Sequence, residues 1–127
     1  MKPGIQKELE NLGKYGCGFL CLCHVMKIPE SELLFYFHKA MDVGLIDSEC
    51  YVKDWGKLAT FLCPTGWEKF RCEKATLKDR KATFYIEYWY NPRTKLHHFK
   101  LPDFDPLGDS VTVREGMIES YRNFYLV

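Results

Sequence analysis

At 127 residues the chain is long enough for one domain with a sizeable core, and its 46% hydrophobic and 28% charged residues are the balance of a globular protein rather than a disordered one. A formal net charge of +1, with lysines and glutamates interspersed, sets aside a nucleic-acid-binding face as the main function. The start MKPGIQKELEN is charged and the longest apolar run, Phe19 to Cys23, is too short for a bilayer, so the expectation is a single cytoplasmic domain over 1–127, without membrane insertion and with its six cysteines reduced.

Taken in chain order, Ile5, Leu9 and Leu12 recur at helical spacing before Gly13, which predicts a short amphipathic helix with a glycine stop. The segment from Cys17 to Lys27 is apolar nearly all round and predicts a buried central helix, ended by Pro29. Glu30 to Asp42 predicts a third helix stopped at Gly44, and Asp54 is placed to cap a fourth in which Trp55, Leu58, Ala59 and Leu62 share a face. After Pro64 the texture changes to β-rich runs: WEKFRCEK, ATFYIEYWY, KLHHFKL, a short FDP, SVTVRE and MIESYRNFYLV. Turn signals separate them at Asn91-Pro92, Pro102-Asp103, Gly108-Asp109 and Glu115-Gly116. Helices first and antiparallel strands second is an α+β pattern, with the Cys-bearing helix packed on a C-terminal sheet.

The chemistry-bearing stretch is KYGCGFLCLCHVM, where Cys17 stands between two glycines at the start of the predicted buried helix. A nucleophilic cysteine needs help to become a thiolate, and the unpaired N–H groups of a helical first turn supply positive potential. Gly16 and Gly18 carry no side chain to block an approaching carbonyl, and the Cys17 N–H is placed to donate to an oxyanion. The plainer interpretation is that the glycines let a tight loop enter a crowded helix around a small core residue. Cys21, Cys23, Cys50, Cys63 and Cys72 read as structural. None stands at the paired spacing of a zinc site, so neither a metal nor another cofactor is expected.

KLHHFKLPDFDPLGDS offers two histidines as the partner for a thiolate. If Leu101 to Phe104 makes a two-residue reversal, Lys100 lies opposite Asp105, and alternation puts His98 on the face that Asp105 shares as its diagonal neighbour. His97 then points the other way with Phe99 and Leu101. Parity therefore selects His98 as base and Asp105 as the residue that orients it, the order a Cys-His-Asp mechanism needs, while a one-residue slip would select His97 instead. His24 and His38 lie on predicted helices and read as structural. Gln6 and Asn11 are the upstream amides available as a second oxyanion donor. The aromatic set Tyr85, Tyr88, Trp89 and Tyr90 reads either as a substrate wall or as packing against the helix layer.

These residues, in this order, resemble the papain-like superfamily, and within it the compact bacterial C39-type peptidases. There a glutamine precedes a Cys-Gly at the start of a buried helix, and a His-aromatic strand is followed by Asp-Pro. The matching pieces are Gln6, Cys17-Gly18, His98-Phe99 and Asp105-Pro106. The Gln6 to Cys17 spacing is longer than the family pattern, and the His98 to Asp105 spacing shorter. YGCGFLCLC and the end HFKLPDFDPLGDSVTVREGMIESYRNFYLV are also similar to a family of small uncharacterised proteins encoded on spirochaete (Borrelia-type) plasmids and prophages. The resemblance implies a cysteine peptidase or amidase with Cys17 as nucleophile, His98 as base, Asp105 behind it and Gln6 at the oxyanion. The substrate would be a peptide, isopeptide or cell-wall amide. The competing expectation is an inactive papain-like shell that binds a peptide or protein partner as an accessory of a phage or plasmid.

Overall fold

The structure, a computed structural model, describes residues 16–47, 49–64, 68–106, 108 and 111–127. The helix predicted over residues 5–12, and with it Gln6 and Asn11, lies outside the described residues. Helix α1 (Cys17–Val25) buries Gly18, Phe19, Cys21, Leu22 and Cys23 and leaves His24 exposed, as an apolar segment with one polar stripe should. It stops before Pro29 for a backbone reason. Lys27 takes φ +57, its N–H donates to the His24 carbonyl, and the Ile28 N–H reaches back to Cys23, a Schellman closure built on lysine. A 3₁₀ turn (Glu30–Glu32) then leads into α2 (Leu33–Asp42). The same closure ends α2 on Gly44, at φ +76, with Gly44 N–H to Met41 and Leu45 N–H to Ala40. Helix α3 (Trp55–Leu62) is capped by the Asp54 carboxylate, which accepts the Lys57 N–H at 3.0 Å.

Between α2 and α3 the chain forms a tight clamp. Ile46 and Val52 bridge, and the Asp47 carboxylate accepts the N–H groups of Glu49 and Tyr51. Cys50 sits at φ +65 inside that turn, an uncommon conformation for a residue with a Cβ.

The second half supplies β1 (Phe70–Ala75), β2 (Phe84–Asn91), β3 (Leu96–Lys100) and β4 (Met117–Leu126), in one antiparallel sheet of order β1-β4-β2-β3. β3 and β4 both run antiparallel to β2 from its two sides, so they are parallel to each other and their connection must cross β2. That requirement corrects one expectation. The SVTVRE run, predicted as a strand by its β-branched residues, contains instead the short helix α4 (Val111–Arg114), which packs on β2 and β3 within the crossover. Tertiary connectivity overrides local propensity there.

The core lies between the sheet and α1 to α3, where Phe19, Leu22, Phe37, Leu58, Leu62, Ile86 and Phe124 are nearly or fully buried. Phe84 stacks on Phe124, and Trp55 of α3 meets both Phe124 and Phe99. A helix packs against each outer edge of the sheet. At β1 the Phe70 N–H donates to the Thr60 hydroxyl, and Gly56 presses against the strand so closely that a Cβ would stand 2.9 Å from the Phe70 carbonyl oxygen. At β3 the Phe99 N–H points away from β2 to the sulfur of Cys17. Among the described residues, no helix is long and apolar enough to cross a membrane.

Candidate functional site

Cys17 is the first residue of α1, and the first helical bond runs from the Leu20 N–H to the Gly16 carbonyl, so the N–H groups of the opening turn are free of helical partners. Its sulfur accepts the Phe99 N–H at 3.5 Å. Burial pushes the Cys17 thiol above its ordinary value. The amides of Phe99, Gly18 and Cys17 pull it back down, and the nearby Asp105 charge adds to the rise. The positive potential predicted for the helix start is present, but desolvation outweighs it, so the resting sulfur carries its proton at neutral pH.

His98 lies one residue along β3 from that amide. The predicted reversal is present: Leu101 bridges Phe104, with Leu101 N–H to Phe104 carbonyl at 2.8 Å. It brings the Asp105 carboxylate to 2.5 Å from His98 Nε2, in a setting where the side chains are 2% and 10% exposed. Such a short contact in a dry setting fixes the ring, with Nε2–H donating to Asp105. His97, on the alternate face, stacks on Tyr88 with ring centres 4.9 Å apart and faces Glu119 at 3.4 Å. The structure thus holds two His–carboxylate pairs on adjacent residues, one buried and one half-exposed.

A cleft of about 570 Å³ opens beside Cys17, lined among others by Tyr51, Trp55, Tyr88, His97 and Arg122. Of the aromatic set considered as a substrate wall, Tyr88 lines this cleft. Trp89 donates instead to Glu87, and Tyr85 packs on Tyr121. Arg122 was not singled out from the sequence, nor was the Asp47 clamp that brings Cys50 and Tyr51 to the rim. A lone arginine in an alternating strand reads as solvent-facing. Only the central place of β4 in the sheet puts it under the cleft.

All six cysteines are free thiols, and Cys21, Cys23, Cys50 and Cys63 are buried. His24 stacks on Phe104, with ring centres 3.9 Å apart, and so ties α1 to the reversal that carries Asp105. Among the described residues, no three His, Cys, Asp or Glu side chains gather as a metal site. Compared with protein-family models, curated proteins and solved structures, the chain finds no match in any of the three.

Proposed function

We propose that the protein is a papain-like thiol hydrolase, a C39-like cysteine peptidase or amidase acting on peptide, isopeptide or cell-wall amide bonds. Cys17 is the nucleophile, His98 the base and Asp105 the group that orients it. The observation that carries this is the 2.5 Å contact between His98 Nε2 and Asp105, made next to the strand amide on which the Cys17 sulfur rests. With Nε2 committed to the carboxylate, Nδ1 is the ring nitrogen that takes the thiol proton. The sulfur attacks the carbonyl carbon as its proton passes to Nδ1, and Asp105 stabilises the imidazolium. The imidazolium then protonates the departing amine. Water, deprotonated by the neutral ring, finally cleaves the thioester to release the acid and restore the thiol. The Cys17 N–H is one oxyanion donor, and Gln6 is proposed as the second.

Because burial holds the thiol protonated, reactivity at neutral pH depends on His98 rather than on a standing thiolate. The test is the rate at which each cysteine is alkylated by iodoacetamide at neutral pH, read by peptide mass spectrometry. Cys17 is expected to react far faster than Cys72, the other partly exposed thiol, and His98→Ala to remove that advantage by about 10²-fold or more. Equal rates at Cys17 and Cys72, or a fast Cys17 indifferent to His98, would overturn the assignment.

The raised thiol favours one second reading, in which the papain-like shell binds a peptide or partner protein without turnover, as an accessory of a mobile element. A Cys17 as slow as its neighbours would select it.

A further inference from the structure

Arg122 occupies an unusual place for a strand arginine. Its guanidinium lies over the rings of Tyr88 and Phe99, 5.1 and 5.4 Å from their centres, and donates to the Ser120 hydroxyl at 3.0 Å. Removal from water disfavours its charge. Among the described residues, no carboxylate stands within ion-pair distance of it, nor of its cross-strand partner Lys74. A partly desolvated cation held by ring faces and one hydroxyl is short of acceptors, since a guanidinium carries five N–H donors.

Arg122 and Lys74 also belong to two clefts at once. Together with Tyr51, Val52 and Trp55 they line both the Cys17 cleft and a second one of about 660 Å³. The second cleft adds Lys53, Lys57 and Arg71, the last paired with Glu73, while its one carboxylate, Asp54, is engaged in capping α3. The Cys17 end carries the opposite sign in Glu49 and Glu119. The groove is therefore polarised, with acids beside the sulfur and cations beyond Arg122.

We propose that this groove is the subsite for an acidic polypeptide segment, whose carboxylates pair with Arg122 and Lys74 while a neutral or basic residue lies at Cys17. The proposal deepens the hydrolase reading by naming its substrate class. A polyphosphate chain fits less well, because its uniform negative charge would meet Glu49 and Glu119 at the sulfur end. Planar bidentate pairing suits a carboxylate on Arg122, and the aromatic rims of Tyr51, Trp55 and Tyr88 suit a peptide backbone.

The test is direct binding to the Cys17→Ala protein, so that turnover is not needed. Fluorescence anisotropy compares a labelled peptide in which a pair of glutamates is followed by uncharged residues, its glutamine counterpart and an oligothymidylate. The expected result is binding of the glutamate peptide alone, weakened at least about tenfold in Arg122→Gln and in Lys74→Gln, as loss of one charge-assisted pair predicts. Circular dichroism checks that each variant is folded, and Lys74→Gln alone carries the test where Arg122→Gln is not. Equal binding of the glutamate and glutamine peptides, affinity indifferent to both cations, or tighter binding of the oligothymidylate would each overturn the proposal. Acidic-peptide binding in a protein whose Cys17 fails the alkylation test would leave the subsite standing and remove the hydrolase.

Discussion

Gly18 lies directly beneath the indole of Trp55, so close that a Cβ at Gly18 would come within 2.5 Å of Trp55 Cη2. The glycine after Cys17 is therefore space for a tryptophan from α3, and the same indole packs on Phe99, whose amide holds the sulfur. Gly18→Ala must displace either the ring or the start of α1. It is expected to lower stability by about 1–3 kcal/mol in denaturant titration, the usual cost of overpacking, and to change the Cys17 alkylation rate. An unchanged midpoint would mean that the indole is not held where it is described.

The His98–Asp105 pair should also appear as a stability term independent of any activity. Each of His98→Ala and Asp105→Ala takes one partner from a buried hydrogen bond to a carboxylate, and each is expected to cost about 1.5–3 kcal/mol. A double-mutant cycle should find the two losses strongly non-additive, with a coupling of about 1–3 kcal/mol. Additive losses would show that the two side chains do not interact in solution.

Buried thiols make the fold sensitive to alkali. Cys23, 1% exposed, is pushed from 9.0 to about 12, and fully buried Cys21 is raised further, both by burial. Above about pH 9 the unfolded chain therefore sheds protons that the folded chain retains, so the unfolded state binds fewer and stability falls as pH rises through that window. Each such thiol contributes a slope of up to about 1.4 kcal/mol per pH unit. Denaturant titrations between about pH 9 and pH 10.5 should show the decline, and Cys23→Ala should lessen it by one thiol's share. An identical slope in that variant would contradict the assigned burial.

The Asp54 cap is a local contribution that can be tested alone. Asp54→Ala removes the acceptor of the Lys57 N–H and is expected to cost about 1 kcal/mol, whereas Asp54→Asn should cost much less because the amide oxygen still accepts. Equal losses in thermal melts would indicate a charge effect on the helix rather than a hydrogen bond.

Helix α3 and its cap were readable from Asp54 and the spacing of Leu58, Ala59 and Leu62, because both signals are local. The α+β division was readable from the change of texture at Pro64, and the reversal at Pro102-Asp103 from turn chemistry. Three features were not. The stop at Lys27 uses a residue whose type does not announce a left-handed turn. The helical turn at Val111 answers to strand order, which is set by pairings as distant as Phe70 with Leu126. The polarity of the groove arises where β1, β4 and the Asp47 clamp meet, and no stretch of the chain contains all three.

At Phe99 and at Phe70 the amides of the two outer strands are already taken, one by a sulfur and one by a hydroxyl. An incoming chain cannot pair at either point without first displacing a helix. That guards both points against edge-to-edge pairing, and it favours a peptide at Cys17 held by its side chains over one paired through its backbone.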